Sequence, residues 1–149
     1  MRAVVQRVRA CSVSVEGRPP QRIEHGLLVY LGVGRGDAEK DVRALCDKIV
    51  NLRIFPDDAG RMNLPVRETG GGIMVVSQFT LYGDAREGRR PSYIGAEEPS
   101  KARPLYELAV RLFAESGLSV ATGEFQAHME VSYTNDGPVT ILLDSEKRF

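Results

Sequence analysis

The sequence predicts an α+β fold: a mixed, mostly antiparallel sheet curled into a barrel-like core, with two main helices packed on it. Three observations predict it. Roughly seven short apolar runs read as strands, and only two stretches repeat apolar residues at helical spacing. The third is size: 149 residues with 42% hydrophobic and 27% charged side chains suit one domain with its own core, so 1–149 is read as a single domain.

Residues 2–9 read as a strand with Val4 and Val8 on one face and Ala3, Val5 and Arg7 on the other. Cys11, Val13 and Val15 alternate with polar neighbours, so 11–15 is also strand. Glu16-Gly17-Arg18-Pro19-Pro20 is a turn, and 26–33 is a nearly continuous apolar run, as expected of a strand buried on both faces. Asp37 has the character of a helix N-cap. Val42, Leu45, Ile49 and Leu52 then make a helical stripe opposite Lys40, Arg43 and Lys48.

A short strand is expected at 53–55, a turn at Asp57-Asp58-Ala59-Gly60, and a flexible break at Gly70-Gly71-Gly72 before a strand at 73–81. Residues 83–99, rich in Gly, Pro and charge, read as a long ordered loop, and loops of that length are usually functional or disordered. A second helix runs from Ser100 or Arg103 to Ser116, with Pro104 in its first turn, Leu105, Leu108, Leu112 and Phe113 as its stripe and Gly117 at C′. Strands at 119–125, 128–134 and 138–144 complete the chain.

Bulk properties exclude several functions. Twenty basic and twenty acidic side chains cancel, which argues against wrapping a long nucleic acid but leaves room for gripping the tip of one. Cys11 and Cys46 are far apart, and neither His25 nor His128 has a second ligand at metal spacing, so no metal site and no cofactor are expected. The N-terminus lacks the apolar core of a signal peptide and no stretch is long enough to span a bilayer, so the expectation is a cytoplasmic protein with no membrane partner.

The candidate chemistry lies at strand ends, where packed backbone holds polar groups in place. Ser77-Gln78-Phe79-Thr80 follows the apolar run 73–76. It reads either as a strand running to the surface or as a cradle, with backbone N–H groups available to an oxyanion. Asn135-Asp136-Gly137-Pro138 reads as a hairpin turn, since Asp-Gly is a turn dipeptide, or as a shaped loop whose Gly-Pro bond is cis. Arg7, on an apolar strand face, is either an edge arginine reaching for water or a clamp on carbonyls or a carboxylate. Arg86, Arg89 and Arg90, interspersed with Glu87, are either solvated surface or contacts to a few phosphates. Gly32-Val33-Gly34-Arg35-Gly36-Asp37 has the wrong spacing for a dinucleotide loop and puts a carboxylate where a pyrophosphate would sit, so it is a turn. No Ser or Cys triad and no carboxylate pair stands out.

Together these residues resemble the D-aminoacyl-tRNA deacylase family, whose two signatures are Ser-Gln-Phe-Thr and Asn-x-Gly-Pro-Val-Thr; they stand at 77–80 and 135–140. The likeness extends through residues 1–8, Asn51-Leu52-Arg53-Ile54-Phe55, Met62-Asn63-Leu64 and Gly88-Arg89-Arg90-Pro91-Ser92, and nothing after Leu143 adds to it. The resemblance implies hydrolysis of the ester between a D-amino acid, or mischarged glycine, and the terminal adenosine of tRNA. It implies a homodimer with active sites at the interface, acting on the acceptor end of aminoacylated tRNA and not on DNA. Thr80 and Gln78 are then the candidate catalytic residues, and Ser77, Phe79, Asn135, Gly137 and Pro138 bind substrate. Gly137-Pro138 would be cis and would enter the neighbouring subunit's pocket, leaving no room for an L side chain, with Arg7 holding the loop. Arg86, Arg89 and Arg90 become phosphate contacts. Thr80 as nucleophile competes with a route in which the substrate's 2′-OH assists while backbone N–H groups near Phe79 and Thr80 hold the oxyanion. The alternatives are a sister activity that edits L-alanine from a threonine tRNA, and a non-enzymatic nucleotide- or RNA-binding module.

Overall fold

Alternating apolar side chains carry the first strand further than any local break signal stops it. In the computed structural model, which describes Met1 to Phe149, the segments at 2–9 and 11–15 are one strand, β1 (Arg2–Ser14). β2 (Gln21–Ile23) and β3 (Gly26–Gly32) pair antiparallel along one edge of β1, from Arg2 opposite Gly32 to Val13 opposite Gln21. The last strand, β8 (Glu130–Asp144), follows the other edge over the full length of β1. β3 pairs parallel with β6 (Gly72–Ser77), and β6 parallel with β7 (Ser119–Thr122). β2 also lies against β7, so the twisted sheet nearly closes into a barrel. β4 (Phe55–Pro56) and β5 (Met62–Leu64) form a separate antiparallel pair.

The two helices are α1 (Glu39–Val50) and α2 (Pro99–Glu115). Their stripes, with Val42 and Ile49 on α1 and Ala109 and Phe113 on α2, meet each other and one face of the sheet, where Leu27, Val29, Ile73 and Val75 point. Leu28, Met74 and Val76 point to the other face and pack with Val8, Cys11 and Val13. The central strands are therefore covered on both sides, which accounts for their unbroken apolar runs. Phe113 and Ile49 are fully buried, and each such side chain stabilises the fold by roughly 2 kcal/mol. No helix is long and apolar enough to cross a membrane.

Several local expectations give way to long-range contacts. The N-cap of α1 is Ala38, whose N–H bonds the Asp41 carboxylate at 2.9 Å; Asp37 turns away to serve other partners. The glycines at 70–72 are not a flexible break. A Cβ on Gly26, at φ +151°, would lie 1.9 Å from the Gly72 carbonyl oxygen, so two backbones touch there. β6 ends at Ser77, not at residue 81, and the strand expected at 119–125 ends at Thr122. α2 starts at Pro99, which puts Pro104 past its first turn. The segments at 128–134 and 138–144 are a single strand.

Both cysteines are free and buried. Burial pushes the Cys11 thiol up to about 11 and the Cys46 thiol to about 12. The thiolate is the reactive form, so neither residue should react quickly with Ellman's reagent at neutral pH until urea unfolds the chain. Because the folded values lie above the unfolded one, any stability contribution is complete below the unfolded pKa and lost as pH rises through 11 to 12. Rapid stoichiometric labelling of native protein would contradict this burial.

Candidate active site

The site begins where β6 runs out. The Gln78 N–H bonds the Leu31 carbonyl at 2.8 Å, and the chain then folds into a 3-10 turn over Phe79–Tyr82. The turn is closed by Leu81 N–H to the Gln78 carbonyl at 3.3 Å and Gly83 N–H to the Thr80 carbonyl at 2.9 Å. A helical turn leaves its leading N–H groups without acceptors inside the turn; here they belong to Phe79 and Thr80. Gln78 and Thr80 do not project as strand neighbours, because the strand has ended. The Gln78 amide instead donates to Thr80 Oγ1 at 2.5 Å.

The turn is anchored from behind. The Met1 ammonium lies 2.6 Å from Asp37 Oδ1 and also bonds Ser145 Oγ. Asp37 Oδ2 accepts from Gly34 N–H at 2.6 Å and from the Tyr82 hydroxyl at 3.4 Å. Arg2 Nη1 donates to the Leu81 carbonyl at 2.9 Å, and its guanidinium stacks 4.5 Å from the Tyr82 ring centroid. Burial, and then the adjacent Asp37 carboxylate, push the Tyr82 phenol well above its ordinary value, so it stays a donor.

In front of the turn lies a cavity of about 600 Å³. Ser77, Gln78 and Phe79 line it with Ala102 and Tyr106 from α2 and His128 and Met129 from the segment entering β8. A mostly apolar wall with a few fixed polar groups, at this volume, fits a small organic ligand. Tyr106 spends its hydroxyl on the Val75 carbonyl at 3.0 Å, and burial raises its pKa. Sequence reasoning missed Ala102, Tyr106, His128 and Met129 as lining residues. Helical or alternating spacing at Ala102, Tyr106 and Met129 carries no sign of a cavity, and His128 is an exposed side chain with no spacing signal. No cluster of three metal-ligating side chains exists, and His25 bonds the Thr69 carbonyl at 2.9 Å.

The second signature lies elsewhere, and it is not a hairpin. On β8, Thr140 faces Gln6 and Asn135 faces Val8, so residues 136–139 bulge out of a strand that resumes on both sides. Asn135 Nδ2 closes the bulge by donating to the Arg7 carbonyl at 2.9 Å and the Val139 carbonyl at 3.1 Å. The Gly137–Pro138 peptide is cis, and Gly137 sits at φ +122°. A Cβ there would lie 2.8 Å from Val139 Cγ2 and 3.1 Å from Arg7 Nη2.

Arg7 does not reach for water: its side chain is 11% exposed, and Nη1 donates to the Ile54 carbonyl at 2.5 Å. Its Nε lies 3.0 Å from Asp136 Oδ2 but off the hydrogen-bond direction, so that contact is Coulombic. Arg9 Nε makes the directed bond to Asp136 Oδ1 at 2.9 Å. That bond, and then the charge of Arg7, hold the Asp136 carboxyl below the usual carboxylate range. Asn135, Gly137 and Pro138 do not line the cavity of their own chain, and neither does Thr80.

The 83–99 loop is ordered by backbone bonds at both ends. Asp84 and Ser92 exchange two at 2.8 Å, Arg35 N–H bonds the Gly95 carbonyl at 3.0 Å, and Glu97 N–H bonds the Val33 carbonyl at 3.0 Å. Arg86 is closed onto Asp84 through Nε at 2.9 Å and Nη2 at 2.5 Å. Arg89 and Arg90 are exposed and make no ion pair.

Truncating Asn135 to Ala strands two carbonyls and should lower the unfolding free energy by about 1 kcal/mol, whereas exposed Thr80→Ala should change it by less than about 0.5 kcal/mol. Urea denaturation of both variants tests this. Asp136, with its folded pKa lowered, should fasten the bulge fully above the unfolded value near 3.9 and release it as pH falls through the folded value. A carboxyl titration by NMR with a midpoint at or above about 3.9 would contradict the ion pairs.

The profile of the D-Tyr-tRNA(Tyr) deacylase family matches residues 4–144. The D-aminoacyl-tRNA deacylase of Syntrophobacter fumaroxidans is 58% identical over 149 residues, covering 100% of both chains. That of Myxococcus xanthus is 59% identical over 145 residues, covering 97% of this chain and 95% of the relative. A solved structure described as c-Myc DNA Unwinding Element Binding Protein superposes with a TM-score of 0.90 at 36% identity, covering 97% of this chain and 98% of that one. With its two signature segments set on a shared strand framework and the likeness running from end to end, the chain belongs to the D-Tyr-tRNA(Tyr) deacylase family.

Proposed function

We propose that this protein hydrolyses the ester joining a D-amino acid, or mischarged glycine, to the 3′-terminal adenosine of tRNA, releasing the free amino acid and intact tRNA in the cytoplasm. The observation that carries the reading is the division between a cavity closed by Ser77–Phe79 and a stapled bulge at 136–139 that takes no part in lining it. A second copy of the chain supplies the bulge to the cavity, so the working unit is a homodimer with its active sites at the interface. The terminal adenosine occupies the cavity. The Gly137 and Pro138 carbonyls face the substrate Cα, and an L side chain would have to enter the space they fill. Chirality is read by exclusion, and glycine, with no side chain, is accepted.

Catalysis follows from positioning. The Phe79 and Thr80 N–H groups stand free at the head of their turn and are the donors for the oxyanion. Thr80 Oγ1 has the Gln78 amide as its hydrogen-bond partner, and an amide is no general base. Thr80 and Gln78 therefore orient the ester. Water adds to the carbonyl carbon, the C–O3′ bond breaks, and the leaving oxygen takes up a proton, with the neighbouring ribose 2′-OH assisting. Arg89 and Arg90 are free for tRNA phosphates, while Arg86 must first leave Asp84. The DNA-related description of the solved neighbour raises a nucleic-acid-binding reading, which the zero net charge weighs against.

Matched D-Tyr-tRNA and L-Tyr-tRNA, incubated with the protein in EDTA, test the proposal. The D-ester should be lost rapidly and the L-ester spared; survival of D-Tyr-, glycyl- and alanyl-tRNA alike would refute it. Thr80→Ala should keep kcat within about tenfold, and loss beyond about a thousandfold would restore the nucleophile. A substrate ending in 2′-deoxyadenosine should bind and turn over far more slowly.

A further inference from the structure

Two large rings stand in water at the mouth of the cavity. Phe79 is 58% exposed and Tyr93 40%, with neighbouring Ile94 at 73%. The rings meet edge to face, with centroids 5.1 Å apart at 68°. Tyr93 is held by the backbone beneath it, since a Cβ on Gly83 would lie 3.0 Å from Tyr93 Cε1. Its carbonyl also accepts the Ala96 N–H at 3.0 Å, within the loop pinned to β3. Core packing does not explain this pair, because an edge-to-face contact leaves ring surface open. Phe79 also lines the cavity, so the exposed rings are continuous with it. The two unpaired guanidiniums, Arg89 and Arg90, belong to the same loop, in which Asp84 already neutralises Arg86 and Glu98 faces Arg35 at 3.8 Å, leaving Glu87 and Glu97 as the opposing carboxylates.

From this we infer that Phe79 and Tyr93 form a stacking platform for the base of the nucleotide immediately 5′ to the adenosine in the cavity. A planar base needs an open π face, and its linking phosphate needs a free cation nearby; both are present on one pinned loop. The inference rests on the deacylase reading and extends it. The enzyme grips the single-stranded end by two consecutive nucleotides, one enclosed and one stacked.

The test compares kcat/KM for D-tyrosyl esters of adenosine, of the dinucleotide CpA, and of a CpA analogue that keeps the phosphate but lacks the cytosine base. The parent should favour the CpA ester over the adenosine ester by about tenfold or more. Tyr93→Leu should collapse that ratio to within about threefold of one, Tyr93→Phe should preserve it, and the baseless analogue should be as poor a substrate for the parent as CpA is for Tyr93→Leu. Equal use of CpA and adenosine esters by the parent overturns the platform while leaving the deacylase reading intact. Equal losses on both esters in Tyr93→Leu overturn it too. So does a change of sedimentation mass in that variant, which would make the patch a contact between copies. If the parent hydrolyses none of the esters, the deacylase reading fails and takes the platform with it.

Discussion

The antiparallel pairing of β1 with β8 is the constraint on which the rest of the architecture depends. β1 carries β3 and β2 on one edge and β8 on the other, so it ties the parallel strands that end in the cavity to the strand that carries the bulge. The pairing holds above and below residues 136–139, and this turns a run of polar residues into a rigid projection. Asn135, at the start of that projection, bonds the Val139 carbonyl at its end and the Arg7 carbonyl on β1, Arg7 lies under it, and Arg9 holds its one carboxylate. Every one of these contacts is made to β1 or is positioned by it.

The opposite end of β1 supports the other half of the site. Arg2 reaches the Leu81 carbonyl and the Tyr82 ring, and the Met1 ammonium fixes Asp37, which in turn holds Gly34 and Tyr82. The 3-10 turn that presents the Phe79 and Thr80 amides is thus braced by charged groups with low exposure, of which the Asp37 side chain at 7% is one. Preorganised donors of this kind need no rearrangement when charge develops on a substrate oxygen. One strand therefore stiffens both the amide-bearing turn and the glycine–proline bulge.

Features governed by one face of one element were legible in the sequence. The stripes of α1 and α2 and the doubly buried run of β3 all follow from spacing. Features settled by distant partners were not. Asp37 has the chemistry of an N-cap, but an ammonium 36 residues away and the Gly34 N–H claim its oxygens. Asp136-Gly137 reads as a hairpin because turn statistics are local; only the continued pairing of β1 shows that the strand resumes. Arg7 was ambiguous because its acceptors, Ile54 and Asp136, come from different parts of the chain. Tyr106 and Met129 gave no signal as lining residues, since periodicity identifies an inward face without saying whether the space it meets is filled.

The backbone contact between Gly26 and Gly72 works as a length standard. These residues start the parallel pairing that runs in unbroken register to Leu31 opposite Ser77. Five residue steps in a strand span about 16 Å, so a contact at the far end of the sheet sets how deep Ser77 sits in the cavity. A slip of one step would turn Ser77 to the opposite face and offer Val76 or Gln78 in its place. The absence of two side chains, well outside the reacting centre, thereby sets the address of the first residue of the signature.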